Sequence, residues 1–429
     1  MGFLKSLTSL STPTGGQGAE AIILAGGLGT RLRAAVPDLP KCMAPVAGRP
    51  FLYYIINALR LQGIERFVFS LGYKADVIFN FLKSSYPTLD YSFVIEDEPL
   101  GTGGAIQFAL SKCTSETVLV ANGDTLFKIV IWGFEKVHVE NNSECALALK
   151  KLQNFDRYGV VETEMDQVVS FKEKQFYTEG FINGGIYLLN KTRFLKRGLP
   201  KKFSFETDYL QAFASERKFY SSVQDGYFID IGIPQDYEQA QKDFQKPMLH
   251  LSLIERNWTL FLDRDGVINN ERAGEYVLNW NGFAFSEGVL KAFEILQKKF
   301  HRIIIVTNQR GVDKGLMTLD DMHHIHQNML QKIERTGAHI DAIYYCTNKE
   351  NTCFNRKPNP GMAVQAFRDF NDIDPAKSIM VGNKPSDMQF GRAAGMFTVF
   401  VATTNPHEPF PHADIDMRFS NLLAFAEAL

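Results

Sequence analysis

Short runs of β-branched and aromatic residues recur along the chain, separated by stretches whose apolar residues return every three or four positions. AIILAGG (21–27), RFVFSLGY (66–73), YSFVIEDE (91–98) and TVLVANGD (117–124) are apolar enough to be strands buried on both faces. Residues 51–61 keep helical spacing instead. This alternation predicts a mostly parallel sheet covered by helices. From Cys145 the runs shorten to CALALK (145–150), QVVSFKEK (167–174) and GGIYLLN (184–190), which points to a mixed-sheet region of the same domain. Residues 238–256 read as a helix, a break at Pro247 and a connector. The alternation then restarts with WTLFLDRDG (258–266), HRIIIVTNQ (301–309), AIYYCTN (342–348), SIMVGN (378–383) and FTVFVAT (397–403). The expectation is α/β throughout: a Rossmann-like first domain with a mixed sheet, then a doubly wound parallel-sheet domain. We place a flexible leader at 1–19, the first domain at 20–245, a linker at 246–256 and the second domain at 257–429.

Length agrees, since 429 residues exceed one ordinary core. Lys+Arg 46 against Asp+Glu 48 leaves a net charge of −2, with no broad basic field for nucleic acid or an anionic membrane. Five scattered cysteines suit a reducing cytoplasm better than a disulfide framework. No apolar run is long enough to span a bilayer. Met1-Gly2 with Ser6 fits a loose acylation pattern, but the segment reads as a frayed leader. The 35 phenylalanines fall at core spacing and read as packing.

Two sets of strand ends carry chemistry. The first strand runs into Gly26-Gly27-Leu28-Gly29-Thr30-Arg31, a turn whose backbone N–H groups can approach phosphate oxygens. Arg31 and Lys41 add positive charge. Asp124 and Asp230 each end a strand and, though far apart in sequence, can converge on one Mg²⁺.

In order, GGLGTRL, LPK, GTGGA (101–105), NGD, FKEK, NGG (183–185) and DIGIPQDY (230–237) resemble the sugar-1-phosphate nucleotidyltransferase family over about residues 20–245. VPDLPKCMAPVAGRPFL and EDEPLGTGGAI are most similar to heptose 1-phosphate guanylyltransferases. The resemblance implies that Leu24, Ala25, Gly26, Gly27, Gly29, Thr30 and Gly103 hold a nucleoside triphosphate, GTP being favoured. It makes Arg31 and Lys41 the catalytic cations and Asp124 and Asp230 the Mg²⁺ ligands, Asp124 also touching the nucleotide. Gly159, Glu173, Lys174, Asn183 and Gly184 would hold the sugar phosphate.

At the second set, Asp263 and Asp265 in FLDRDGVIN give a carboxylate nucleophile with an acid/base partner two residues on. Thr307-Asn308, Arg356-Lys357 and Asn383 with Asp387 end or follow further strands. FLDRDGVIN, GEYV (274–277), TNQRGV (307–312), RKPNPGM (356–362) and VGNKPSDM (381–388) resemble the haloacid dehalogenase superfamily. Within it they are similar to the D,D-heptose 1,7-bisphosphate phosphatase branch, which also holds histidinol-phosphate phosphatases. The resemblance implies Asp263 as nucleophile and Asp265 as acid/base. Thr307, Asn308, Arg356 and Lys357 would hold the phosphoryl group, and Asp263, Asp265, Asn383 and Asp387 a second Mg²⁺.

Two departures stand out. Asn383 replaces the usual aspartate, which removes a charge from the metal site. The zinc loop of many relatives is reduced to Cys346, Asn348, Cys353 and Asn355, so no zinc is expected and the two cysteines read as packed thiols. His323, His324 and His326 lie in a polar helical pattern and read as a solvated face rather than a ligand set.

Together the halves imply one pathway. A phosphatase would remove the 7-phosphate of heptose 1,7-bisphosphate, and a nucleotidyltransferase would activate the heptose 1-phosphate. The alternatives are a monofunctional transferase with a decayed phosphatase-like scaffold, or a histidinol-phosphate phosphatase fusion. The sequence leaves a homo-oligomer open.

Overall fold

The computed structural model describes residues 3–6, 19–27, 32, 36–245, 248–271 and 276–429. The chain divides into two compact units, Thr12–Lys246 and Pro247–Leu429, and the second also takes in the strand Phe3–Ser6.

The first unit is built on a nine-stranded mixed sheet. Thr117–Asn122, Ala19–Leu24, Ile64–Leu71 and Asp90–Ile95 are adjacent and parallel. Tyr177–Asn190 runs antiparallel between Thr117–Asn122 and Cys145–Phe155 and so joins the shorter-stranded half to the parallel one. Alternate side chains enter opposite layers: Ala21 and Ile23 pack in one core cluster, Ile22 in the other. Burial on both faces explains why these strands read as continuous apolar runs. The helix Phe51–Leu61 buries Phe51, Leu52, Ile55, Ile56 and Leu59, the face its periodicity marks.

The second unit carries a seven-stranded sheet, parallel at every pairing. Its central strand, Thr259–Leu262, lies between Arg302–Asn308 and Ser378–Gly382. One edge is Phe3–Ser6, paired with Ala342–Cys346, so part of the stretch read as a flexible leader is a strand of this sheet. Leu249 and Ile254, inside the stretch read as a linker, are buried in this unit's core. Thr318 and Asp321 form a capping box at the start of Leu319–Glu334.

Candidate active sites

In the first unit the site forms where Ala19–Leu24 ends between its parallel neighbours Ile64–Leu71 and Thr117–Asn122, at the carboxyl ends of strands where open α/β sheets bind ligands. Ala25 N donates to Ser70 O at 2.8 Å and Gly123 N to Leu24 O at 2.9 Å, which fixes the three strand ends together. Thr125–Phe127 pairs antiparallel with Phe228–Asp230 in a register that sets Asp230 opposite Thr125. That short ribbon brings Asp230 beside Asp124. Lys41 reaches both from a turn anchored by buried Cys42 and Met43: Nζ lies 2.5 Å from Asp124 Oδ2 and 3.4 Å from Asp230 Oδ1. Burial, then the facing Asp124, raises the Asp230 carboxyl above its ordinary value, against Lys41 and the Gly232 N–H.

A cleft of about 520 Å³ opens here, lined by Leu24, Ala25, Gly27, Lys41, Asp124, Lys174 and Asp230 among the residues expected to act. Gly26, Gly103, Gly159, Glu173, Asn183 and Gly184 are not in its lining. A Cβ on Gly103 would sit 2.1 Å from the Phe203 ring, and one on Gly184 2.4 Å from that of Phe127, so close packing accounts for both. Asn183 Nδ2 donates to Tyr187 OH at 2.7 Å, and its Oδ1 accepts from Gly185 N at 3.1 Å. Gly29, Thr30 and Arg31 lie outside the described residues. The cleft also recruits Thr102, Arg157, Tyr158, Glu206 and Asp236, which sequence reasoning did not assign. Arg157 pairs with Asp236 at 2.8 Å, and burial followed by Asp230 pushes Tyr158 up to about 12. Asp236 stands in the DIGIPQDY string and Thr102 in GTGGA, so those two carried a signal.

In the second unit Asp263 follows the central strand, its N–H bonded to Val381 O at 3.0 Å. Lys357 Nζ donates to Asp263 Oδ1 at 2.8 Å, to Asp387 Oδ1 at 2.8 Å and to Val306 O at 2.9 Å, which uses all three of its hydrogens. Arg264 N also donates to Asp263 Oδ1 at 2.8 Å, while Oδ2 has no donor among the described residues. Burial, then Asp387, raises the Asp263 carboxyl, with Lys357 opposing. Burial works against the Lys357 charge, but the two carboxylates outweigh it and the amine stays protonated.

Asp265 is held differently. Arg264 Nη2 donates to both its oxygens at 2.8 and 3.0 Å, Asn269 Nδ2 at 3.0 Å and Gln309 Nε2 at 2.8 Å. Burial pushes its carboxyl up, but Arg264 and these donors win and hold it below the usual range. Arg264 Nη1 in turn meets His326 Nε2 at 3.0 Å. His326 is fully buried, which corrects the solvated-face reading for this residue, while His324 is exposed and His323 half-buried. Met322, Ile325, His326, Met329 and Ile333 share the buried face of their helix, so the helical period already placed His326 there.

Thr307 Oγ1 accepts from Gln309 Nε2 at 2.9 Å. Asn308 straps the Lys357 backbone from both sides, at 3.1 Å each way. Arg356 Nη1 donates to Asn348 O at 3.2 Å, and burial followed by Arg310 lowers its proton affinity. Asp387 Oδ2 caps the helix Pro385–Ala393 through the N–H groups of Asn383 and Lys384, at 3.1 and 3.0 Å. Both Asp387 oxygens are therefore engaged. Cys346 and Cys353 place their sulfurs 3.8 Å apart, and Asn348 Oδ1 accepts from Glu350 N at 2.7 Å.

The donor sets fit magnesium. In the first unit two carboxylates converge in an open cleft. In the second, Asn383 is fully buried and its Oδ1 has no hydrogen-bond partner. A buried amide oxygen with no hydrogen-bond partner has the chemistry of a ligand to a hard cation. No helix among the described residues is long and apolar enough to cross a membrane.

Comparison with known proteins agrees with the division. Residues 20–247 match the family described as Nucleotidyl transferase, and 260–425 that described as Polynucleotide kinase 3 phosphatase. The first unit is 48% identical over 226 residues to a D-glycero-alpha-D-manno-heptose 1-phosphate guanylyltransferase of Aneurinibacillus thermoaerophilus, covering 53% of this chain and 98% of that protein. The crystal structure of HddC from Yersinia pseudotuberculosis is 39% identical, covers 53% of this chain and 99% of its own, and superposes with a TM-score of 0.49. The second unit is 34% identical over 173 residues to a D-glycero-alpha-D-manno-heptose-1,7-bisphosphate 7-phosphatase of Mycobacterium bovis, covering 40% of this chain and 91% of that protein. The chain therefore belongs to the nucleotidyl transferase family through its first unit and to the phosphatase family of the M. bovis protein through its second.

Proposed function

We propose that the chain is a bifunctional enzyme of activated-heptose synthesis. Its second unit removes the 7-phosphate of D-glycero-D-manno-heptose 1,7-bisphosphate. Its first unit joins the resulting heptose 1-phosphate to a nucleotide, taken from GTP, and releases pyrophosphate. One observation carries the reading. The relatives of the two units are named for reactions that share a compound, the product of one being the substrate of the other.

In the second unit, Asp263 Oδ2 is the oxygen open to attack the 7-phosphorus. A bond forms from Asp263 to phosphorus, the bond from phosphorus to the sugar oxygen breaks, and Asp265 protonates that oxygen. Water then attacks the aspartyl phosphate, Asp265 takes its proton, and orthophosphate leaves. The Arg264 clamp favours the ionised Asp265 that the second step needs. Arrival of the anionic substrate raises its proton affinity for the first. Lys357 neutralises charge on the transferring group. Asp263, the Asp265 segment and Asn383 would hold Mg²⁺, which supplies further neutralisation when bound. Asp387 serves Lys357 and the helix cap.

In the first unit no covalent intermediate is needed. The sugar phosphate oxygen attacks the α-phosphorus in line, that bond forms as the bond to pyrophosphate breaks, and Lys41 balances the developing charge. Asp124 and Asp230 would hold Mg²⁺ there. Lys174, Arg157 and Tyr158 also line the cleft and are the groups we assign to the sugar phosphate, and a cytoplasmic location goes with this reading.

The test is a coupled assay on the purified chain with the bisphosphate, Mg²⁺ and each nucleoside triphosphate in turn. Orthophosphate release, then GTP-dependent pyrophosphate release, is expected. Asp263→Asn should abolish the first and leave the second intact when heptose 1-phosphate is supplied. No orthophosphate from the unaltered chain would make the second unit a binding module, and a preference for UTP, ATP or CTP would remove the guanylyl assignment.

A further inference from the structure

The site of the second unit has an amide where a carboxylate is usual, and the structure shows how that amide is held. Asn383 Nδ2 has two hydrogens, and both have acceptors: Glu271 Oε2 at 3.1 Å and Thr404 Oγ1. Asn405 Nδ2 donates to the backbone carbonyl of Asn383 at 2.7 Å. With the NH₂ end committed on that side, the amide cannot turn over, and its oxygen is the buried atom without a partner. The packing leaves no slack. Gly266, at φ +87°, has no Cβ; one placed there would lie 2.0 Å from Asn383 Nδ2 and 3.0 Å from Glu271 Oε2.

Charge supports the same conclusion. The hydrogen-bonded cluster around Asn383 contains Asp263, Asp265, Glu271 and Asp387 against Arg264, Lys357 and Lys384, with Lys384 Nζ bonded to Glu271 Oε1. Glu271 is the fourth acid against three bases. Without it, the carboxylates and cations of the cluster would balance and leave no excess negative charge for a cation.

We infer that Glu271 is a positioning residue that makes Asn383 a competent magnesium ligand. It holds the NH₂ end of the amide and so leaves its oxygen free to accept, polarises that oxygen through the Nδ2 hydrogen bond, and returns the negative charge that asparagine removed. Groups that orient a ligand in this way are worth 10- to 100-fold in metal affinity. The inference rests on the phosphatase reading of this site.

The test is calorimetric titration of Mg²⁺ into the full chain carrying Asp124→Asn and Asp230→Asn, so that the first unit adds little heat. In that background Glu271→Gln, which keeps the shape and an acceptor for Nδ2, should weaken binding about tenfold. Adding Asn383→Asp to Glu271→Gln should restore affinity to at least the starting value, because the charge returns at the ligand itself. Equal affinity with and without Glu271→Gln overturns the inference and leaves the phosphatase reading standing. A double variant as weak as Glu271→Gln overturns it too, since the loss would then be structural. No Mg²⁺ binding before any change at 271 or 383 overturns both readings together.

Discussion

The two sites use the same three side chains in opposite surroundings. Each sets one lysine between two aspartates: Lys41 with Asp124 and Asp230 at strand ends, and Lys357 with Asp263 at a strand end and Asp387 in the first turn of a helix. In the first unit the lysine is 16% exposed and the carboxylates about a third exposed (34% and 31%). In the second the corresponding values are 2%, 6% and 1%. The difference suits the two chemistries. A transferase that joins two large phosphates must admit both and expel pyrophosphate, so its charges face an open cleft. A covalent nucleophile needs one fixed oxygen beside one fixed cation, and burial strengthens every interaction between them. Exposure, rather than the identity of the charged groups, separates the sites.

Removing the lysine should therefore have unequal consequences. Lys357→Met leaves Asp263 and Asp387 facing each other in the interior. Breaking a buried ion pair from one side costs about 3–5 kcal/mol. For a unit of this size that lowers the midpoint by roughly 10 °C. Scanning calorimetry should show the transition of the second unit fall by that amount, with orthophosphate release lost. A fall under about 2 °C would mean that the buried carboxylates do not depend on Lys357.

A smaller effect should appear in acid. The first unit buries His138, and burial followed by Arg193 lowers its pKa from 6.5 to about 4. The folded value lies below the unfolded one, so the unfolded chain binds the proton first. The stability is intact above about pH 6.5 and is lost as pH falls from there toward 4. At pH 5 the loss is about 2 kcal/mol. Urea unfolding of the first unit at pH 7 and pH 5 should show it, and His138→Leu should remove most of the difference. An unchanged difference in that variant would assign the acid sensitivity to carboxylates.

Much of this was legible in the sequence because both sites sit at strand ends. Apolar runs that stop at Asn122-Gly123-Asp124, Asp263, Thr307-Asn308 and Gly382-Asn383 announce where a parallel sheet delivers its side chains. Contacts made across the fold were harder to see. Arg157 and Tyr158 follow the long strand Cys145–Phe155 into a loop, and nothing local marks them as cleft residues. Glu206 comes from the π-helical turn Phe205–Gln211, which no periodicity predicts. Phe3–Ser6 is too short, and too far in sequence from its partner Ala342–Cys346, for its pairing to show in the pattern. His326 is the instructive miss. The polar residues around it suggested solvent, while its spacing from Met322 and Met329 marked the core face, and spacing was the better guide.

The mildest change in stability should come from Lys41→Met. The charges it leaves behind, Asp124 and Asp230, are each about a third exposed, and water screens what the lysine no longer neutralises. The expected cost is under about 1 kcal/mol, within the range of exposed ion pairs. Activity should respond far more, because in the proposed reaction Lys41 balances the charge that develops on the triphosphate. Loss of one such group costs about a hundredfold or more in turnover. Parallel calorimetry and pyrophosphate release on this variant measure both at once. A nearly silent thermal change with a large kinetic one would support exposure as what divides the two lysines. A destabilisation as deep as that of Lys357→Met would show instead that the trio is structural wherever it occurs.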